Sequence, residues 1–561
     1  MSENLKKEII SSFKNNQFFR VLEICKKIDP KDRSPLLENI IGISIYNSKK
    51  YTENQLMEAF YCFERAFLKD KNSEAGLDGL INIIKLGIKV SPILNNFSVF
   101  LYKASEFYKS VEKNNEKNEP FLKAGFVLYS YLLDKTKLKK IIKKIFQGNI
   151  SSKLLRGWAT FENNYYSDWA QLDHLNFALK NSKYFSKFKL KNINDINYET
   201  NKKINLGFIG SDFERNHSTT FFLKDTIKHL NKEQFETYIF SLSKKNINDK
   251  SQNELRNFSD KWFDVDEFNN LNVAKLIQDQ KIDILVDLMG YTKPERLELF
   301  NSRIAPKQIS WMAYCNTSGL DKMDFLIADE NLILEKEEKF YSEKIIKLPT
   351  IWNSHSGFPE KRTFNDLPSL NNKNFTFGSF NNFRKISDEV VETWSQILNS
   401  IPNSNLILKS STPCDKGSLL NKFKIYKVDH KITILNKSDY FDKRDHINLY
   451  KKIDLSLDTF PWNGVTTTFE SLWMNVPVLV MSGYNFNSRC GESIIKNLKL
   501  NSLISENKDD YISKAIMFSK DLKNLNKIRK KIFDDLIESP LFNTKKFTEN
   551  FSNILLKIYN S

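Results

Sequence analysis

Apolar residues recur at three- and four-residue spacing through residues 1–190, with almost no stretch alternating at every second position. That period belongs to helices that each bury one stripe. From KINLGFIGSDF onward the pattern changes. Short apolar runs (LGFIG, TYIFSLS, DILVDLMG, QISWMAY, FLIAD) alternate with helical stretches such as NVAKLIQDQ. A polar stretch, NSHSGFPEKRTFNDLPSLNNKN, reads as a linker, and a second series follows with FTFGSF, NLILKS, KITIL, DLSLDTF and PVLVM. Buried runs separated by helices predict parallel strands covered on both faces. The expected domains are a helical one over 1–190 and two Rossmann-like α/β lobes over 191–365 and 366–561. Ligands of such sheets bind beyond the carboxyl ends of the strands.

Within the helical part, NIIGISIYNSKKYTENQLMEAFYCFERAFLKDKNSEAGL places Gly42 and Tyr46 on one predicted helix and Ala59, Phe63 and Ala66 on the next. Small and aromatic residues so spaced match one tetratricopeptide helix pair, which buries its apolar face by stacking on neighbours. The repeat is not kept elsewhere, so the region reads as TPR-like, with a plain helical bundle as the alternative.

Candidate chemistry gathers where predicted strands turn into helices. In GSDFERNHSTTFF, Asp212 and His217 follow the first strand and Thr219 lies in the next helix start; His217 could donate to phosphate or sugar oxygens, or Asp212 or Ser218 could simply cap the helix. In GSFNNFRKISDEV, Asn382 and Lys385 sit between strand and helix, where an amide and an ammonium could meet a pyrophosphate. Lys443 and His446 are three apart on a helix and share a face. In PWNGVTTTFESLW, Thr466 and Thr467 open a helix whose free N–H groups suit an anion or an ordinary cap, and Glu470 lies one turn further in, where its carboxylate could accept from ribose hydroxyls or equally just complement the helix dipole. Each charge-assisted bond of this kind contributes only about 1.5–3 kcal/mol, so several must converge. Together they describe a nucleoside-diphosphate cleft with no obligatory metal.

Composition narrows the field. At 561 residues the chain exceeds one ordinary core. Its net charge of +17 comes from lysines scattered along its whole length, not from a dense basic block, which argues against nucleic acid. Five cysteines, odd in number and without a C-x-x-C pair, suggest neither a disulfide framework nor a zinc knuckle and fit a reducing cytoplasm. The N-terminus shows no apolar signal region and no run approaches membrane-spanning length, so a cytoplasmic protein with no membrane partner is expected. Neither a G-x-G-x-x-G fingerprint after a strand nor a P-loop is present. Asp264-Val265-Asp266 could hold a divalent metal, but a lone D-x-D more often ends a solvated strand.

In order along the chain, GSDFERNHSTTFF, DILVDLMGYTKPERLELFNSRIAPKQISW, TSGLDKMDFLIAD, YSEKIIKLP, SFNNFRKISD and LDTFPWNGVTTTFESLWMNVPVLVM resemble the catalytic region of the O-GlcNAc transferase family, its SPINDLY-like bacterial branch in particular. The likeness spans roughly residues 203–560. It implies a GT-B fold and an inverting, metal-independent transfer of a sugar from a UDP-sugar to a protein hydroxyl, GlcNAc being the expected sugar. It places His217 and Thr219 near diphosphate and acceptor, with Asp212 supporting their loop. It sets Asn382 and Lys385 on the diphosphate, Lys443 and Glu470 on the ribose, His446 by the uracil, and Thr466 and Thr467 on phosphate oxygens. An acceptor protein docked on the helical domain would be the partner, and no cofactor is implied beyond the donor. Departures from vertebrate members are Val465 for a His, Glu470 for an Asp, Leu449 for a uracil-contacting Arg and YCNTSG, with Cys315 and Asn316, near the sugar; His174 does not align with a further active-site His. The alternatives are an N-glucosyltransferase acting on Asn and a relict transferase serving as a helical interaction protein.

Overall fold

The computed structural model describes residues 3–47, 52–90, 98–196, 203–213, 217–246, 248–292, 294–410, 414–435 and 443–561. The chain divides into two compact units, Met1–Ser152 with Thr412–Asn421, and Lys153–Ser411 with Lys422–Ser561. The first is helical, built from helices such as Pro35–Asn47, Glu53–Lys69, Glu119–Tyr131 and Lys135–Gln147. Its TPR-like pair interlocks as the residue spacing suggests. Ala59, Phe63 and Ala66 are buried, and any Cβ at Gly42 would stand 2.5 Å from the Phe63 ring, so only glycine lets the two helices close.

The helices Lys153–Glu162 and Gln171–Ser182 group with the second unit, so the helical domain ends near residue 152 and not at the expected 190. The reason is tertiary: Ala178 and Phe185 join the core of the first α/β lobe, beside Tyr291, Tyr314 and Leu320.

That lobe is a seven-stranded sheet of β1 (Ile204–Gly210), β2 (Phe235–Ser241), β3 (Lys261–Asp264), β4 (Ile284–Asp287), β5 (Lys307–Ser310), β6 (Phe325–Asp329) and β7 (Lys344–Leu348), ordered β3-β2-β1-β4-β5-β6-β7. The second lobe has β8 (Phe375–Ser379), β9 (Ser404–Leu408), β10 (Ile432–Ile434), β11 (Leu455–Leu457), β12 (Val478–Met481) and β13 (Ile504–Ser505), ordered β10-β9-β8-β11-β12-β13. Every strand pair is parallel. The order reverses between β1 and β4 and again between β8 and β11, the two places where loops diverge to leave a crevice. β3, β7 and β13 fall outside the apolar runs read as strands: β3 and β7 are sheet edges whose exposed positions admit lysines, and β13 is an edge of only two residues.

The stretch read as a polar linker begins buried. Residues 351–355 are inaccessible, and the His355 ring stacks on Phe358 (centroids 4.2 Å) and Phe221 (5.2 Å). It lies where the chain passes between the lobes, bonded by its N–H to Leu541 O at 2.8 Å. Burial pushes its imidazole down to about 3, so it is neutral there. The final helix, Thr544–Tyr559, returns to the first lobe, where Phe551 packs 4.4 Å from Trp311. Among the described residues no helix is long and apolar enough to cross a membrane.

Candidate functional site

The carboxyl edge of the second sheet carries the densest polar arrangement. Directly after β11 comes Asp458, 2% exposed, whose Oδ1 accepts from Gly464 N at 2.7 Å, Thr459 N at 2.9 Å and Asn381 Nδ2 at 3.1 Å. The Asn381 oxygen in turn accepts from Thr467 Oγ1 at 2.8 Å. One buried carboxylate thus ties the turn after β8 to the loop before helix Thr466–Trp473. Burial pushes the Asp458 carboxyl up to about 6, against the pull of the Gly464 N–H and the Lys385 ammonium. A Cβ at Gly464 would lie 2.5 Å from Thr467 Oγ1 and 2.9 Å from Asn381 Oδ1, so the tight loop requires glycine.

Val465 occupies the N-cap of helix Thr466–Trp473 and offers no side-chain hydrogen bond, leaving the first N–H groups open to a ligand. Thr466 and Thr467 are half-buried at that opening. The Thr467 hydroxyl hydrogen is taken by Asn381, which leaves Thr467 its N–H to offer, while Thr466 also keeps its hydroxyl. Beside them, Lys385 Nζ donates to Asn463 O at 2.6 Å and stands 5.3 Å over the Trp462 ring. Burial lowers its ammonium below the usual lysine range, opposed by the charge of Asp458. Asn382 caps its own turn, accepting from Arg384 N at 3.0 Å, and holds Lys385 in place through Lys385 N on Asn382 O at 2.8 Å.

Glu470 ends a chain of polar contacts one turn into that helix. Both its oxygens lie 3.1 Å from His446 Nε2, and Tyr450 OH donates to Oε2 at 3.0 Å. Lys409, immediately after β9, brings its ammonium to 2.6 Å from His446 Nδ1. An ammonium can only donate, so Nδ1 accepts and the imidazole proton rests on Nε2, facing Glu470. Burial would raise the Glu470 carboxyl, but His446, Tyr450 and Lys409 together hold it below the usual carboxylate range. The Lys443 side chain lies outside the described residues.

The first lobe brings its own corner. His217, and not Asp212 or Ser218, is the N-cap of helix Ser218–His229: its Nδ1 accepts from Thr219 N at 3.3 Å, and Thr219 Oγ1 lies 3.1 Å away. His217 Nε2 lies 3.8 Å from Asp212 Oδ1, and the Asp212 carbonyl accepts from Thr220 Oγ1 at 3.0 Å. Phe222 and Phe469 meet edge to face at 5.1 Å, each about one turn inside its helix, which draws the two helix starts together across the lobes. The structure therefore assembles Lys385, Asn382, Thr466, Thr467, His446 and Glu470 on one sheet edge, and sets Asp212, His217 and Thr219 at the matching edge of the other.

Lys409, Tyr450 and Asp458 are missed by reading motifs alone. Asp458 and Lys409 each directly follow an apolar strand run, and that position was the available signal. Leu449 is buried in an apolar cluster with Phe380 and Ile453. Asn316 donates to Asn164 Oδ1 at 2.8 Å, and Cys315 and Cys490 are buried free thiols. His174 Nε2 is 3.2 Å from Tyr484 OH, and burial pushes its imidazole down to about 4, so it is neutral there. Asp264 is paired with Arg256 at 3.0 Å and accepts from Trp262 Nε1 at 2.7 Å, the arrangement of a satisfied strand end.

The family model for glycosyl transferase family 41 matches residues 169–355 and 361–551. The chain belongs to glycosyl transferase family 41. Among relatives, SPINDLY of Solanum lycopersicum, by its description a UDP-N-acetylglucosamine–peptide N-acetylglucosaminyltransferase, is 31% identical over 364 residues, 62% of this chain and 38% of its own length. SEC of Arabidopsis thaliana, similarly described, is 28% identical over 370 residues, covering 64% of this chain and 37% of its own. The family 41 chain thus spans under two fifths of these relatives. Among solved structures, a mutant of the Thermobaculum terrenum O-GlcNAc transferase superposes with a TM-score of 0.76 at 20% identity, covering 90% of this chain and 94% of that one. The fold is GT-B-like with TPR-like helices, as the sequence resemblance implied.

Proposed function

We propose that this chain transfers GlcNAc from UDP-GlcNAc to Ser or Thr hydroxyls of a protein, with inversion at the sugar and no metal. The observation that carries the reading is the uncapped start of helix Thr466–Trp473 beside the Lys385 ammonium, at the β8/β11 crevice. Two open N–H groups, a hydroxyl and a cation there match a diphosphate. Glu470, one turn inward, keeps lone pairs for ribose hydroxyls, and the His446–Lys409 pair borders the base. His217 and Asp212 face this edge from the first lobe, on the side from which an acceptor approaches. The acceptor oxygen forms its bond to C1 as the C1–phosphate oxygen bond breaks. UDP departs with the electron pair, and the acceptor proton ends in solvent. Lys385 and the helix start stabilise the charge that grows on the diphosphate, where preorganised electrostatics contributes most. The relatives described as UDP-N-acetylglucosamine–peptide transferases support the donor and acceptor assigned.

The test is calorimetric titration with UDP in EDTA, followed by a peptide-transfer assay under the same conditions. Micromolar binding, weakened by Lys385→Ala and Thr466→Ala, with transfer from UDP-GlcNAc that survives EDTA, is the expected result. Absence of UDP binding would end the reading; transfer that stops on chelation would remove metal independence.

A further inference from the structure

The last residues of helix Lys153–Glu162 and the short turn that follows stand apart from the expected site, yet together they reach Lys385 by three routes. First, Phe161 and Tyr165, in edge-to-face contact with each other at 6.0 Å, both pack against the Trp462 indole with ring centroids 4.9 and 4.7 Å away, and Trp462 is the ring beneath Lys385 Nζ. Second, Glu162, wholly buried, forms an ion pair with Arg384, the residue preceding Lys385; the Arg384 guanidinium lies 5.3 Å over the Tyr165 ring. Third, Asn164 O accepts from Asn487 Nδ2 at 3.3 Å, Asn487 O accepts from Asn463 N at 3.3 Å, and Asn463 O is the acceptor of Lys385 Nζ. A lysine side chain has four rotatable bonds, and fixing its ammonium in one place costs rotamer entropy. Three converging supports from one turn are more than packing requires.

We infer that residues 161–165 form a positioning element for the transfer reaction, with Trp462 and Glu162 as positioning residues that hold the Lys385 ammonium at the leaving diphosphate. The inference rests on the assignment of Lys385 under Proposed function. The indole face attracts the cation without offering it an acceptor, so Lys385 stays available to a phosphate oxygen. The Glu162–Arg384 pair anchors the turn Phe383–Lys385 from behind and keeps the Arg384 charge out of the cleft. Because charge on the diphosphate grows as the C1–oxygen bond breaks, misplacing the ammonium penalises the transition state more than bound UDP.

The experiment compares the 561-residue chain with its Trp462→Leu, Trp462→Phe and Glu162→Gln variants. For each, kcat and KM for UDP-GlcNAc, the UDP Kd and the pH dependence of kcat are measured. Trp462→Leu and Glu162→Gln should lower kcat about tenfold or more while KM and Kd stay within about threefold, the size expected from losing a partly desolvated cation–π contact or its anchor. Trp462→Phe, which keeps an aromatic face, should retain most of kcat. In Trp462→Leu the alkaline limb of kcat should move to lower pH, because the ammonium loses the indole face that favours its charged form. A purely structural role would lower binding and turnover in step and leave the pH profile in place, and that result overturns the inference. So does a kcat within twofold of the parent in a folded Glu162→Gln, or equal losses in the Leu and Phe variants. If the parent binds UDP and transfers sugar, only the positioning role is at stake; a parent that does neither overturns both readings.

Discussion

Glu470→Gln tests the proposed ribose end of the cleft. In the parent the carboxylate accepts from His446 Nε2 at 3.1 Å and Tyr450 OH at 3.0 Å, which uses two of about four lone-pair positions and leaves the rest for ribose hydroxyls. Glutamine is nearly isosteric, so packing at this buried site is kept. It removes the charge and turns one oxygen into a donor, which must face either the His446 N–H or a ribose hydroxyl. A hydrogen bond to a charged group contributes about 1.5–3 kcal/mol, so the UDP Kd should rise about ten- to hundredfold. Titration with inorganic pyrophosphate is the control: it meets only Lys385 and the Thr466–Thr467 helix start, so its affinity should stay within about twofold. Because Glu470 is held below the usual carboxylate range, parent UDP affinity should also persist as the pH falls through the ordinary glutamate range. Unchanged UDP affinity in the variant, or parallel loss of UDP and pyrophosphate, would refute the ribose assignment.

Gly464→Ala should weaken UDP binding about tenfold or more by calorimetry, since the added carbon meets Thr467, Asn381 and Thr468 oxygens at 2.5–2.9 Å and must displace the anion-binding loop. Glu337→Gln should destabilise the catalytic unit by about 3–5 kcal/mol, visible as a lower thermal midpoint, because Arg489 then keeps its charge while losing a bidentate partner at 2.5 and 2.8 Å in a buried place. Asp458 sets a pH dependence with a definite sign. Burial lifts its carboxyl from the ordinary 3.8 to about 6, so the folded state binds more protons between the two, and its contribution is most favourable below about 4 and is lost as pH rises through 6. The midpoint of Asp458→Asn relative to the parent should therefore climb from pH 4 to pH 7; a difference independent of pH would show that Asp458 is not perturbed.

Much of this could be read along the chain. Strand ends and helix starts are local features: an apolar run followed by a helical stripe marks the corner, and hydroxyls or amides at the corner mark its chemistry. That is why Thr466, Thr467, Asn382, Lys385 and His217 stand out as candidates from pattern alone, and why both parallel lobes are legible in order. The linker over 353–374 and the boundary at 190 were misjudged for one reason. Polarity describes a residue's own preference, whereas burial of His355 and Ala178 depends on which surfaces the two lobes present to them.

The sequence by itself determined the βα alternation, the two crevices that follow from it and the residue types at their rims. Only the tertiary structure decided which of those residues act together. His446 finds Glu470 across 24 residues and Lys409 across 37, and Asn381 reaches Asp458 across 77. Residues so far apart on the chain are neighbours because the parallel strands all end on one edge. The same edge receives the 161–165 turn, which no local pattern connects to Lys385, through contacts with residues more than 200 positions away. Hydrophobic periodicity specifies elements one at a time; hydrogen bonds and ion pairs at the site are properties of their packing.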